Sequence, residues 1–112
     1  MIYRVKIQLQ AKQDIKRNAS WWAKHHSTQQ AKRWTNAVRE QIRTLENQPL
    51  RCPLSVENSK FSFEIRDHLV GTGPHPTHRA IFTIQGETVY VLTVRRAAED
   101  QLQPRDLVFP KE

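Results

Sequence analysis

The chain has 112 residues, with 18 Lys and Arg against 11 Asp and Glu, for a formal charge of +7 at pH 7. A domain of this length buries roughly two-thirds of the surface its unfolded chain exposes, so residues 1–112 read as one domain that needs no staple. The lone Cys52 excludes an internal disulfide, and no paired Cys spacing offers a metal set, so neither metal nor cofactor is expected. The positive charge favours nucleic acid, acidic protein or another anionic surface as partner. Arg4 and Lys6 interrupt the first apolar run, so a signal peptide is not expected, and no window approaches a membrane span. A cytoplasmic protein with no membrane partner follows.

Residues 2–9 alternate, and predict a strand with Tyr3, Val5, Ile7 and Leu9 facing the core. The period then changes. Ala11, Ile15, Ala19, Trp22 and His26 recur every three to four residues, which predicts an amphipathic helix over about 10–26. Ser27-Thr28-Gln29-Gln30 supplies a capping box for a second helix over about 28–47, whose apolar stripe is Ala31, Trp34, Val38, Ile42 and Leu45. So short a connection makes the two helices an antiparallel hairpin. Residues 48–60 hold two prolines and no sustained period, and read as an irregular crossing. A second strand is predicted where Phe61, Phe63, Ile65 and Leu69 alternate with Ser62, Glu64, Arg66 and His68. After the loop Gly71-Thr72-Gly73-Pro74-His75-Pro76, two more strands follow at about 77–85 and 88–95 around Gly86. The tail from about Ala97 is irregular.

This order gives an α+β domain: an N-terminal strand, a helical hairpin, then three antiparallel strands. The two helices pack on one face of a four-stranded, mostly antiparallel sheet. No remaining segment is assigned to the other face, which is expected to be open. Strand side chains alternate between faces. With Phe63, Ile65 and Leu69 toward the helices, Glu64, Arg66 and His68 point away. Ala80, Phe82 and Ile84 inward sends Arg79, Ile81 and Thr83 outward, and Tyr90, Leu92 and Val94 inward sends Val91, Thr93 and Arg95 outward. Arg66, Arg79 and Arg95 thus converge on the open face as a candidate anion or phosphate site, since a guanidinium fork matches carboxylate and phosphate oxygens.

Other candidates are weighed against ordinary structural roles. His25 and His26 suit a helix C-terminus. His68, His75 and His78 flank the Gly71–Pro76 loop, where an imidazole could shuttle protons, and His78 is the acid-base candidate. Trp22 and Trp34 lie on the apolar stripes and are assigned to packing. Trp21 falls off the stripe and is expected to be partly exposed, as a contact for a partner protein. No phosphate-binding Gly-rich loop, nucleophile elbow or paired-carboxylate motif is present.

Several short stretches, taken in order, resemble the RelE/ParE superfamily of bacterial toxins, specifically the ParE-like plasmid-stabilisation proteins. They are Tyr3-Arg4-Val5 leading to Gln10-Ala11-Lys12-Gln13-Asp14-Ile15, then Ala31-Lys32-Arg33-Trp34, Pro49-Leu50-Arg51-Cys52-Pro53 and Glu64-Ile65-Arg66. His78-Arg79-Ala80-Ile81-Phe82 and Val89 to Arg96 complete the series, which covers about residues 2–96. The resemblance implies a growth-inhibiting toxin neutralised by an antitoxin encoded beside it, and the basic charge of the chain makes that antitoxin acidic. It implies one of two targets: messenger RNA on the ribosome, cut without a metal by RelE-like members, or DNA gyrase, poisoned by ParE-like members. It carries catalytic or phosphate-binding roles onto Arg66, Arg79 and Arg95. Two departures stand out. His78 occupies the position of the familiar Tyr, and Arg96-Ala97-Ala98-Glu99-Asp100 lacks the Tyr or His expected after the last strand in cleaving members. A degenerate antitoxin-binding module is the third alternative.

Overall fold

The computed structural model describes residues 2–98 and 101–110. Its elements are β1 (Arg4–Ile7), α1 (Leu9–His25), α2 (Thr28–Arg43), β2 (Arg66–Val70), β3 (His78–Gln85) and β4 (Thr88–Arg96), with short 3-10 turns between and after them. The sheet order is β1-β4-β3-β2, with β1 parallel to β4 and the other pairs antiparallel. This is the expected α+β architecture, with both helices on one face.

The hairpin forms for the reasons its sequence suggests. Ser27 Oγ accepts the Gln30 amide at 3.0 Å and caps α2. Ala31, Trp34, Val38 and Ile42 are all buried along one stripe of α2, and Leu45 continues it in the 3-10 turn that follows. They meet Ala11 and Ile15 of α1 and Val70, Ala80, Phe82, Val89, Val91 and Val94 of the sheet in one core. Leu9, expected on the core side of the first strand, instead opens α1 and is exposed. Between β3 and β4, Gln85 pairs with Thr88 across a two-residue loop whose first residue, Gly86, has φ +59°. A left-handed residue there matches the strand twist.

The far face of the sheet is not open. Ile81, Tyr90 and Leu92 form a second core with Ile65, Leu102 and Leu107, against which Phe61 and Phe63 pack. The tail after Arg96 therefore covers the face that the sequence pattern leaves bare. Its anchors are single leucines separated by polar residues and prolines, so no periodicity announced them. Glu99 and Asp100, within the stretch lacking the acid-base Tyr or His, lie outside the described residues.

Two strand assignments shift for the same reason. β2 begins at Arg66, not Phe61, and Phe61 to Glu64 is irregular chain. The set Phe61, Phe63 and Ile65 keeps one phase but packs on the far core instead of under the helices, so the face expected for β2 is reversed. Ile65 joins the far core, Val70 joins the helix core, and His68 faces α2. In β4 the register slips: Ile81 pairs with Thr93 but Phe82 pairs with Val91, leaving Leu92 as the extra residue. A bulge reverses parity along a strand. Val94 still faces the helices as expected, whereas Tyr90 and Leu92 pack on the far side and Val91 on the helix side.

Asp14 stabilises this irregularity. β1 ends at Ile7, so the upper edge of β4 has no strand beside it, and α1 supplies a carboxylate instead. Asp14 accepts the Val94 amide at 3.0 Å and the Thr93 hydroxyl, so these two buried donors of the edge are met.

Burial separates the two stripe tryptophans. Trp34 is 1% exposed, whereas Trp22 packs at the rim of the core. Trp34→Ala is expected to cost ~3–5 kcal/mol in urea denaturation and Trp22→Ala clearly less. Equal losses would contradict the placement.

Candidate functional site

The three arginines predicted to converge do not form one site. Arg79 lies on the face away from the helices, as its parity requires, but beneath the crossing segment. Its Nη1 and Nη2 donate to the two Glu57 carboxylate oxygens at 2.8 and 2.6 Å, and Nη1 also donates to Asp67 at 3.2 Å. The Glu57 side chain is fully buried. A bidentate fork on a buried carboxylate is the strongest pairing a guanidinium makes. Arg66 stands opposite Phe82 on the helix side, where it donates to the Cys52 carbonyl at 2.6 Å and pairs with Glu64 at 3.0 Å. Arg95 is the register partner of Arg79 but lines a separate hollow of about 350 Å³ with Gln10, Asp14, Arg17 and Arg105.

Glu57 organises more than one segment. Besides Arg79 it accepts the Leu102 amide at 3.0 Å, while Ser55 donates to Asp67 beside it. The crossing segment, the strands and the tail thus meet on one carboxylate. The hydrogen bonds from Arg79, above all, hold the Glu57 carboxyl at about 2, against the opposing effect of burial. The same hydrogen bond pushes the Arg79 pKa up. No sequence pattern marks Glu57, because it sits in irregular chain and its partners lie far along the sequence, on β3 and in the tail.

The histidines are similarly engaged. His78 Nε2 donates to Asn18 Oδ1 at 3.2 Å, and Asn18 in turn donates Nδ2 to the Asp14 carbonyl at 2.8 Å, which fixes the amide's orientation. His78 Nδ1 is then the acceptor for the Thr77 hydroxyl at 2.9 Å, and the ring packs edge-on to Trp34. His68 Nε2 donates to the Gln41 carbonyl at 3.0 Å, and Nδ1 faces the Cys52 thiol at 3.7 Å. Desolvation by burial pushes the His68 pKa down and the Cys52 pKa up, so this pair is a neutral thiol beside a neutral imidazole. Among the described residues, no group of His, Cys, Asp and Glu side chains is arranged to hold a metal, and no helix is long and apolar enough to cross a membrane.

The charge lies elsewhere. Residues 9–43, the helical hairpin, contain eight Lys and Arg against Asp14 and Glu40, so they carry +6 of the chain's +7. All eight cations are exposed, and Asp14 is buried. Among the described residues, Lys12, Lys16, Lys24, Lys32, Arg33 and Arg39 hold no ion pair. Most of the exposed positive charge thus lies on the hairpin.

A family model described as the ParE toxin of the type II toxin-antitoxin system parDE matches residues 5–101. The chain belongs to the ParE toxin family. A solved structure titled as the chromosomal ParDE toxin-antitoxin system from P. aeruginosa has the same fold, with a TM-score of 0.69 at 15% identity. The match covers 85% of this chain and 96% of that one. No curated protein matches the chain. For this ParE-family chain, the match spans β1 to β4 and ends at Gln101, just short of the tail anchors Leu102 and Leu107.

Two consequences are measurable. Glu57→Gln leaves a buried guanidinium with Asp67 as its remaining carboxylate, and should cost ~3–5 kcal/mol in denaturant unfolding. Because the folded Glu57 carboxyl sits below its ordinary value, its contribution is complete above about pH 4.5 and disappears as pH falls toward about 2. The acid limb of stability between these values should flatten in the Glu57→Gln variant; an unchanged limb would show that the pair does not carry it.

Proposed function

We propose that this chain is the growth-inhibiting toxin of a type II pair and that it acts by binding a protein target, of the gyrase class, rather than by cutting RNA. Membership in the ParE family supports the toxin role and an antitoxin partner. The observation that favours binding over cleavage is Arg79. A phosphate-neutralising arginine must be presented to substrate, whereas Arg79 is committed to Glu57 and Asp67 in a buried network. His78, the acid-base candidate, has both ring nitrogens engaged by Asn18 and Thr77. Loss of such a group lowers a cleavage rate by ~10²–10⁴. With the far face closed, the surface left for target and antitoxin is the basic hairpin and the grooves beside it. An acidic antitoxin matches that surface in charge and gains from electrostatic steering.

Induction of the chain without its antitoxin should arrest growth. Supercoiling of a reporter plasmid should fail while transcripts stay intact. Discrete transcript cleavage with normal supercoiling would favour the RelE-like endonuclease, and unimpaired growth at verified expression would favour the degenerate module.

A further inference from the structure

Trp21 is the one indole of the chain that is substantially in water, with 48% of its surface exposed, at a position outside the apolar stripe of α1. Its ring stands edge-on to Trp22, with centroids 5.6 Å apart, and tilts over His25 at 4.7 Å. These contacts hold it in place against solvent. Beside it runs a groove of about 400 Å³ between the second half of α1 and the ends of β3 and β4, lined by Arg17, Asn18, Trp21, Trp22, His78 and Arg96. That volume is on the scale of a ligand or anchor pocket.

We infer that this groove receives an acidic segment of the antitoxin, with a large apolar side chain seated against Trp21 and Trp22 and flanking carboxylates directed at Arg17 and Arg96. The identity of the partner rests on the toxin reading above. Its chemistry rests on the groove. The walls are two indoles and the rim two guanidinium groups, the residue types that dominate interface energetics. Among the described residues no carboxylate lines the groove, Arg17 reaches Asp14 only from its exposed rim at 3.1 Å, and the adjoining hairpin carries +6. The polar wall has little left to read a nucleobase with. Asn18 donates to the Asp14 carbonyl and accepts from His78, whose other nitrogen faces Thr77. Recognition therefore falls to apolar shape and to charge, which suits a peptide anchor better than a base edge.

The test uses the full chain and the antitoxin encoded by the neighbouring gene. Trp21→Ala removes a half-exposed ring and should leave the melting temperature close to that of the parent. Antitoxin affinity by calorimetry should fall about thirty-fold or more, and Trp21→Phe should recover most of it. Arg96→Glu should weaken binding and flatten its salt dependence. In cells, co-expressed antitoxin should relieve the growth arrest caused by the parent chain but not that caused by Trp21→Ala. Unchanged antitoxin affinity of folded Trp21→Ala would overturn the proposal. So would loss of growth arrest with antitoxin binding intact, which would make the groove the target's site, and so would Trp21-dependent binding of a single-stranded oligonucleotide in its place. If the parent chain does not arrest growth, the toxin reading fails while the calorimetric arm still decides the groove.

Discussion

The pairing of Glu57 with Arg79 is the constraint on which the far half of the molecule depends. A fully buried carboxylate is tolerated only if its lone pairs are met, and here two elements meet them. β3 contributes the guanidinium and the tail contributes the Leu102 amide, while Asp67 of β2 serves Arg79 as a second counter-charge. Once Glu57 is held, the crossing segment lies over the sheet, and Phe61, Phe63, Leu102 and Leu107 come down on Ile81, Tyr90 and Leu92. A two-layer arrangement becomes three layers, with the sheet in the middle.

A second carboxylate does comparable work on the opposite edge. The Asp14 carboxylate caps the part of β4 that β1 leaves unpaired, while the backbone carbonyl of the same residue holds Asn18, and through it His78. The bulge at Leu92 is tolerated because Asp14 takes up the exposed amide. The bulge in turn turns Tyr90 and Leu92 toward the tail. The helix core and the far core are therefore coupled through the strand they share. Both charged anchors lie inside, and the remaining charge of the hairpin lies outside. That division is why the basic surface of this ParE-family chain is helical.

The hairpin was legible from the sequence because its information is local: a capping serine, a 3.6-residue period and a proline just past the end. β3 was legible too, since its alternation is regular and Ala80, Phe82 and Ile84 face the helices as their pattern requires. β2 and β4 were misassigned in facing. Ile65, with Phe61 and Phe63, packs on a second core that the sequence does not announce, and Leu92 is a bulge residue, and neither leaves a mark in an apolar/polar pattern. The site suffered more. Arg79 was placed on the correct face, but whether an arginine on a face is presented or paired depends on Glu57, 22 residues earlier in irregular chain. Trp21, by contrast, was recognisable as exposed because it breaks its own helix's stripe.

The central claim is that the tail closes the far sheet face through Glu57. Hydrogen exchange of the Leu102 amide, which donates to Glu57 at 3.0 Å, tests it most directly. The structure predicts protection comparable to the amides of Phe82 and Val91 in the central strands, as expected for groups that open only with global unfolding. Exchange at the rate of an unstructured tail, with those strand amides still protected, would show that the face is open and would return Arg79 to the surface as a candidate anion site.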